Sequence, residues 1–569
     1  MLTVALLGTL WWRKDFFLLY FFHLSPPSLK PELTELQYER MIVRYTKDQY
    51  LKDNIDLIAK RMLNNLFEAE EVVGHQLSGK LQVYLFADWE KKGNFTDDMR
   101  ISHADSGKSA VYCIMNADWD GVSERMEFKI LMQQAHGKPF HDDFDEYIAS
   151  GLSGTWFQKS LEDWASFLLS RDLAPSFPEM FRDRQYSRFL THPWNALLAR
   201  FILQEYGLDA LVTFYKSGIL PEEYSERWNH WLSRFPVRKI ETTRFAPEFQ
   251  KGITYAYSNS YEGGYATTNS AKSQDELKSI GVQWLASIPY GFMRKSHAEL
   301  IRFPGNHPAG ESDESLWALA SDARDRNMKV MLKPQIWIGH VSWPGKIDFD
   351  SQEKWDRWMD NYEKWIIHYA IIAELSRADL LCIGTELVQA TLKNPERWRE
   401  MIRKIRNVYH GPLTYAANWG REFEQMQFWD ELDYMGLDNY YPVRSIDNDS
   451  LNHIQEGFVK QKARIKTCVD RFKKPLLFTE VGFMANSRAG TGPAEYEGTD
   501  YDEALQKTCY RFTLETYWNE PWFFGMYWWK WFSDPYDRGK AADPHSPHDR
   551  AAEKILAEWY RKDPVHAAK

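Results

Sequence analysis

The chain of 569 residues is too long for a single hydrophobic core, so its length predicts two domains or three. A formal net charge of −10 and a pI near 5.9 exclude a protein that binds nucleic acid through a basic surface. Aromatic residues make up 15% of the chain, including 25 tryptophans. Rings in loops and at strand ends suit flat, amphipathic ligands such as sugars.

The cysteine pattern indicates neither a disulfide framework nor a metal site. Cys113, Cys382, Cys468 and Cys509 lie far apart and match no metal-ligand spacing. Cys382 falls within an apolar run, as expected of a small core residue. We therefore expect no cofactor and no metal.

Residues 1–30 form an apolar segment that charge interrupts in the middle. Residues 2–12 are apolar, Arg13, Lys14 and Asp15 follow, and residues 16–24 are apolar again. Each half is short for a membrane span, and the three charges make one continuous spanning helix costly. Three interpretations stay open: an export or anchor signal, a wrongly assigned start, and an ordinary structured segment. Membrane association stays open with them, and the expected localisation is secreted or at the cell envelope, with the cytoplasm as the alternative.

Residues 31–245 have the pattern of a helix-rich α+β domain. Apolar residues recur at helical spacing over 34–77, which predicts a long helix. Alternation of apolar and polar residues predicts strands over 80–86 and 109–115. Helices are predicted over 125–136 and 144–158, and further helical stretches continue to about residue 235.

One part of this domain weakly resembles a degenerate zinc peptidase of the gluzincin type. Residues 132–136 stand where that family has His-Glu-x-x-His on a helix, but only His136 matches. Met132 takes the place of the first histidine, Gln133 that of the base, and Ser150 that of the glutamate ligand. Catalytic zinc needs three protein ligands. We therefore expect a packing partner or binding module here, with a metallopeptidase as the alternative that these replacements oppose.

From residue 246 to 569 strands alternate with helices. Eight strands joined by helical crossovers predict a (β/α)8 TIM barrel, an α/β fold. A doubly wound open sheet is the alternative, but no Gly-x-Gly-x-x-Gly follows Gly263-Gly264. The predicted strands cover 252–257, 282–290, 329–338, 380–387, 413–419, 434–441, 476–483 and 523–531, and the predicted helices include 312–326, 352–377, 394–408, 450–471 and 501–519.

Two of these strands end in Thr-Glu and nominate a pair of catalytic carboxylates. Glu386 closes the fourth strand and Glu480 lies near the end of the seventh. A barrel brings the carboxyl ends of its strands to one mouth, where active sites lie. Two glutamates at that mouth are the two catalytic groups that a glycosidase needs, one carboxyl as acid and the other as nucleophile or base. Taken alone, either glutamate is better explained as an ion-paired or helix-start carboxylate, but the pair on strands four and seven favours catalysis.

Eight stretches of the predicted barrel carry a more specific signal: KGITY (251–255), LKPQIW (332–337), IGTEL (383–387), NYYP (439–442), TEVGF (479–483), GMYWWKW (525–531), SPH (546–548) and AEKILAEWY (552–560). Together they resemble glycoside hydrolase family 113, a group of β-mannanases in clan A. The resemblance implies a retaining, endo-acting hydrolase with Glu386 as acid/base and Glu480 as nucleophile. Most of clan A has asparagine before the acid/base, where this chain has Thr385.

Residues at the other strand ends are candidates for substrate binding. Tyr440 is placed to donate a hydrogen bond to the nucleophile, with a plain wall aromatic as the alternative. Trp529 is placed to form the floor under the sugar, with core packing as the alternative. The full set of predicted substrate-binding residues is Lys333, Trp337, Thr385, Asn418, Trp419, Tyr440 and Trp529.

The sequence therefore predicts a retaining hydrolase of β-linked oligo- or polysaccharide, β-1,4-mannan first among them. Two carboxylates and water complete that reaction, so it needs no metal. The alternatives are an inactive carbohydrate-binding or scaffold protein and a hydrolase of another β-glycan.

Overall fold

A computed structural model describes residues 30–175, 187–237, 245–258, 264–303, 311–339, 343–539 and 543–565. The chain divides into two compact units, Met1–Glu241 with Asn306–Pro308, and Thr242–Gly305 with Ala309–Lys569. The predicted apolar segment 1–30 lies, up to residue 29, outside the described residues. None of the helices within those ranges is long and apolar enough to cross a membrane.

The N-terminal unit contains a five-stranded sheet in the order β1-β2-β3-β5-β4, with β1 and β4 antiparallel to their neighbours. Its strands are β1 (Leu33–Gln37), β2 (Met41–Thr46), β3 (Leu81–Phe86), β4 (Ser102–Asp105), β5 (Ala110–Ile114), β6 (Thr155–Trp156) and β7 (Lys159–Ser160). Its helices are α1 (Gln49–Val73), α2 (Trp89–Thr96), α3 (Glu127–His136), α4 (Phe144–Ser153), α5 (Leu161–Ser170), α6 (Arg188–Tyr206), α7 (Leu208–Ser217) and α8 (Glu223–Leu232).

The predicted helix over 34–77 is wrong in its first part. That part forms the hairpin β1–β2, and the helix α1 begins only at Gln49. Residues four apart share a face in a helix and in a strand alike, so Met41 and Tyr45 fit both periods. The burial of Val43 between them follows the strand period. The predicted helix 144–158 also ends early, because Gly154 adopts the left-handed conformation (φ 76°) that terminates α4.

The second unit is a closed barrel of eight parallel strands in the order β8-β9-β11-β13-β14-β15-β16-β17, which confirms the predicted TIM barrel after an α+β region. Its strands are β8 (Gln250–Ala256), β9 (Trp284–Ser287), β10 (Tyr290–Met293), β11 (Lys329–Leu332), β12 (Gln335–Ile338), β13 (Leu380–Thr385), β14 (Leu413–Asn418), β15 (Met435–Asn439), β16 (Leu476–Val481) and β17 (Phe523–Phe532). Its helices are α9 (Thr268–Ser279), α10 (Asp313–Asp325), α11 (Gln352–Ser376), α12 (Val388–Lys393), α13 (Pro395–Val408), α14 (Arg421–Gln425), α15 (Leu451–Phe472), α16 (Glu503–Tyr517) and α17 (Ala551–Tyr560).

Two predicted strands are each broken in two. The stretch 282–290 gives β9 and then β10, and 329–338 gives β11 and then β12. Pro289 and Pro334 lie at the breaks, where a residue without an N–H cannot continue a ladder of hydrogen bonds. Beyond the breaks β10 and β12 pair with each other as a parallel two-stranded sheet, the mouth ribbon.

The barrel separates packing from chemistry along its strands. Alternate residues of the strands fill an apolar core that includes Trp284, Met331, Leu477 and Tyr527. Polar and charged side chains follow toward the carboxyl ends of the same strands. This arrangement leaves the carboxyl-terminal mouth for function, as in other barrels of this kind.

Candidate active site

A cavity of about 740 Å³ opens at the carboxyl-terminal mouth of the barrel. Glu386 and Glu480 both line it. It also brings together most of the predicted substrate-binding residues: Trp337, Thr385, Asn418, Trp419, Tyr440 and Trp529. The remaining wall includes Tyr290, Gln335, Ile336, Ile338, Trp343, Pro344, Gly492, Glu495, Tyr496 and His545.

Glu480 is a buried carboxylate held by three donors. Its Oε1 contacts the Nζ of Lys333 and accepts a hydrogen bond of 2.9 Å from Nε2 of Gln335. Its Oε2 accepts a hydrogen bond of 3.0 Å from the hydroxyl of Tyr440. Donors to both oxygens, one of them a cation, fix the carboxylate in place.

Lys333 lies beneath Glu480 rather than on the cavity wall. Its side chain is fully buried, and its Nζ is also 3.6 Å from Oδ2 of Asp438. Burial lowers the pKa of Lys333, but attraction to Asp438 and Glu480 outweighs it, so the pKa is raised and the ammonium stays charged. A hydrogen bond of 2.7 Å from Thr479 holds Asp438 in turn. Lys333 therefore reaches the predicted site through Glu480 and not by contact with the cavity.

We expect Lys333→Met to lower the free energy of unfolding by about 3–5 kcal/mol, because it leaves two buried carboxylates without their cation. Lys251→Met is the matched control. Lys251 is buried too, but its partner Asp563 is exposed, so water can solvate the carboxylate that remains. Its loss should be about 1 kcal/mol or less. Urea unfolding measures both, and equal losses would contradict the role assigned to the ion pair.

Glu386 lies directly after β13 in a strained backbone conformation. Its φ of 53° is in the left-handed region, which is unfavourable for a residue with a Cβ and clusters at functional sites. Its backbone N–H donates to the carbonyl of Ala416 at 2.9 Å. Its Oε1 accepts from Nδ2 of Asn418 at 2.7 Å, and its Oε2 accepts from Nε1 of Trp343 at 2.5 Å. Both side-chain donors are neutral.

The two carboxyl groups have different electrostatic surroundings. Burial, and then the nearby charge of Glu480, raise the pKa of Glu386. Glu480 instead has an ammonium and two neutral donors against it. Two interacting carboxyls with unlike surroundings are typical of an acid and a nucleophile in one site.

The tryptophans near the end of β17 divide between wall and core. Trp529 lines the cavity. Trp528 stacks on Tyr510 with ring centroids 3.8 Å apart, and Trp531 stacks on His548 at 3.7 Å. Both rings are buried.

The family model of Glycoside Hydrolase Family 113 matches residues 253–547, just over half of the chain. The chain belongs to glycoside hydrolase family 113. It is a glycoside hydrolase, and its catalytic unit is the barrel that the match covers.

Solved structures extend the comparison. The family 113 β-mannanase from Alicyclobacillus acidocaldarius in complex with ManMIm is 25% identical, covers 56% of this chain and 99% of its own, and gives a TM-score of 0.50. A family 113 β-1,4-mannanase complex is 26% identical over 55% and 99%, with a TM-score of 0.49. A family 5 mannosidase from Rhizomucor miehei is 13% identical over 56% and 94%, with a TM-score of 0.42. No curated protein sequence matches the chain.

Gln335 and Trp343 are site residues that we did not predict in this family 113 barrel. The sequence could have indicated Gln335, because it lies two residues before the predicted site residue Trp337 and so shares its face of the strand. Trp343 lies in a loop after β12, where no periodicity indicates the direction of a side chain.

In the N-terminal unit, the side chains at two of the peptidase-like positions, Gln133 and Ser150, have partners within the protein. Gln133 contacts Asp145, and the hydroxyl of Ser150 lies 2.8 Å from Nε2 of His192. Glu146, an acid that could serve as a substitute ligand, accepts from Arg100 and from Lys129 at 2.7 Å each. Bound in this way, the acid is compensated by two cations and has no need of a metal.

We therefore expect the N-terminal unit to bind no zinc and to cleave no peptide, since it lacks three ligands and a base. Metal analysis of protein purified without chelator tests this. Over the ranges that the structure describes, His548, Asp549 and Glu553 of the barrel are the group close enough to share a cation. His548→Ala is thus the control, and stoichiometric zinc lost only on His136→Ala would overturn the prediction.

Proposed function

We propose that this family 113 enzyme is a retaining hydrolase of β-linked polysaccharide, β-1,4-mannan in the first place, with Glu480 as nucleophile and Glu386 as acid/base. The observation that carries the proposal is the unlike pair of carboxyls on one cavity. Glu480 has a buried cation against it, whereas Glu386 has neutral donors and a raised pKa. The substrate follows from the relatives named as β-mannanases.

In the first step Glu480 attacks the anomeric carbon and the glycosidic bond breaks. Glu386 gives its proton to the departing oxygen, so the leaving sugar departs as a neutral alcohol. A covalent glycosyl ester on Glu480 remains. Lys333, Gln335 and Tyr440 fix the direction of the attacking oxygen, which keeps the reacting atoms in line.

In the second step Glu386 acts as base. Once Glu480 is esterified its charge is gone, and with it one cause of the raised pKa of Glu386. Glu386 then takes a proton from water, which attacks the same carbon and releases Glu480. Two displacements at one carbon retain the β configuration.

Two alternatives keep the same fold. A hydrolase of another β-glycan would share the two carboxyls and differ in the residues that contact sugar hydroxyls. A carbohydrate-binding scaffold would have no need for a buried cation beneath Glu480, and that ion pair favours an enzyme. A polymer substrate also fits the proposed secreted or envelope localisation, and the proposed domain bounds remain 31–245 and 246–569.

The test is a product profile on mannan, glucomannan and β-linked gluco- and xylo-oligosaccharides, with the anomer of the first product read by NMR. We expect cleavage within β-1,4-mannan and a β anomer that later mutarotates. A folded protein that hydrolyses none of these substrates, or that releases an α anomer first, would contradict the proposal. Preference for another β-glycan would contradict the proposed substrate but not the proposed mechanism.

The pH dependence provides a further prediction. Because Glu386 must be protonated at the start, kcat/KM falls as pH rises through its pKa. Trp343 donates to the ionised carboxylate and thereby lowers that pKa. Trp343→Phe should therefore raise the pKa and move the alkaline limb of the kcat/KM profile to higher pH.

The control for that profile is Trp164→Phe, which removes an indole hydrogen bond to the carbonyl of Trp156 in the other unit. It should leave the alkaline limb where it is. A limb that stays in place or moves to lower pH in Trp343→Phe would show that Glu386 is not the group that titrates.

A further inference from the structure

The mouth ribbon, Tyr290–Met293 with Gln335–Ile338, extends one wall of the cavity away from Glu480. Gln335 lies at one end of the ribbon face that borders the cavity, and it donates a hydrogen bond to Glu480. Trp337, two residues further, lies on the same face about 7 Å beyond. Phe292 is the register partner of Trp337, so the two side chains stand side by side on the two strands. The face therefore runs outward from the catalytic carboxylate.

Both rings are exposed although the backbone beneath them is fixed. Trp337 is 50% exposed and Phe292 is 43% exposed. Phe292 exchanges two backbone hydrogen bonds of 2.9 Å with Arg302 on its free side. The opposite face of the ribbon is closed, because a Cβ at Gly291 would lie 2.6 Å from the indole of Trp365. The ribbon thus holds two apolar rings toward solvent on a backbone that is already ordered.

We propose that Phe292 and Trp337 form a platform that binds a sugar unit of the substrate beyond those at the cleavage point. The inference rests on the proposed function and deepens it. Sugar rings present apolar C–H faces that pack on aromatic rings, and Tyr290, edge-on to Trp337 at 5.7 Å, joins the platform to the cavity. A linear β-linked chain that leaves the cavity along this wall meets Trp337 and then Phe292.

The test compares β-1,4-mannohexaose with a short aryl β-mannoside in Phe292→Ala and Trp337→Ala. We expect kcat/KM for the hexasaccharide to fall about 5- to 30-fold, a loss at least fivefold greater than that for the aryl substrate. Phe67→Ala, which removes a comparably exposed ring from the N-terminal unit, is the control and should change neither. Equal losses on both substrates, or none, would overturn the platform. Wild-type activity on the aryl substrate reports separately on the proposed function.

An independent observation concerns Glu422 of α14, a carboxylate that is only 1% exposed. It accepts three hydrogen bonds of 2.7 Å, from the hydroxyls of Thr391 and Tyr415 and from the backbone N–H of Asn418. The Tyr415 hydroxyl in turn accepts from the N–H of Leu387 at 2.8 Å. Leu387 follows Glu386, and the side chain of Asn418 donates to Glu386.

Glu422 therefore reaches both sides of Glu386. One path runs through Tyr415 to the backbone after Glu386, and the other runs through Asn418 to its carboxylate. The left-handed backbone at Glu386 persists only where the surroundings hold it. We infer that Glu422 is a positioning residue for the acid/base, an inference that also rests on the proposed function.

Rates on substrates with different leaving groups distinguish a positioning role of Glu422 from a purely structural one. A substrate with a good leaving group needs little protonation, so a misplaced acid should slow it little. We expect Glu422→Gln and Tyr415→Phe to lower kcat/KM about 10- to 100-fold for a poor leaving group and at least fivefold less for a good one. In Glu386→Ala the same changes should add nothing further.

The control is Glu124→Gln in the N-terminal unit, which alters a buried carboxyl bonded to Ser102 and to the N–H of Phe157. It should leave both rates unchanged. Equal losses for both leaving groups, or additive losses with Glu386→Ala, would make Glu422 structural and overturn the inference. If Glu422→Gln does not fold, the same comparison is made with Tyr415→Phe, which loses only one hydroxyl. Failure of the proposed function would instead remove wild-type activity on both substrates.

Discussion

Glu480→Gln is expected to lower kcat by about 10⁴-fold or more, because an amide cannot form the covalent ester. The change keeps the shape of the side chain but leaves one acceptor oxygen, where Glu480 offers Oε1 to Lys333 and Gln335 and Oε2 to Tyr440. It removes the charge that Lys333 balances, and some stability should be lost with it. Steady-state kinetics on a β-linked oligosaccharide measure the effect.

Glu124→Gln serves as the control for that experiment as well, since it replaces a buried carboxyl of the other unit by an amide. Circular dichroism should show both variants folded at the assay temperature. Should the folded Glu480→Gln protein keep more than a few per cent of the wild-type rate, Glu480 is not the nucleophile.

Glu386→Ala is expected to lower hydrolysis of poor leaving groups by about 10²–10⁴-fold, the usual contribution of a general acid or base. Substrates with good leaving groups should still form the glycosyl-enzyme. Its hydrolysis should be slow, because no base activates the attacking water. Azide needs no deprotonation, so it should restore turnover and give a β-glycosyl azide. The product is identified by NMR.

The configuration of that azide decides between the two carboxyls. A β-azide requires attack on a covalent intermediate at Glu480. An α-azide would mean direct displacement of the substrate and would exchange the roles of Glu386 and Glu480. Absence of rescue in a folded variant would remove Glu386 from the second step.

How much of this could be predicted from the sequence depends on the length of the signal. The alternation of eight strands with helices extends over half of the chain, and a local error in it does not change the barrel. The hairpin β1–β2 is short, and over so few residues Met41 and Tyr45 satisfy the helical and strand periods equally.

Within the candidate site, position along the chain predicted which strand ends meet, but not what each side chain contacts. A lysine at a strand end indicates a cation that faces solvent or ligand. The burial of Lys333 depends on Asp438 and Glu480, which lie on two other strands. Trp343 and Glu422 lie outside the strands, in a loop and on the short helix α14, and only the fold brings them to Glu386 and Asn418.

The most direct test of the mechanism is to trap the intermediate with an activated 2-deoxy-2-fluoro-β-mannoside, which is attacked readily and released slowly. Peptide mass spectrometry then locates the label. We expect one sugar per protein, attached to Glu480, and no label in Glu480→Gln. A label on Glu386, or hydrolysis with inversion and no covalent adduct, would contradict it.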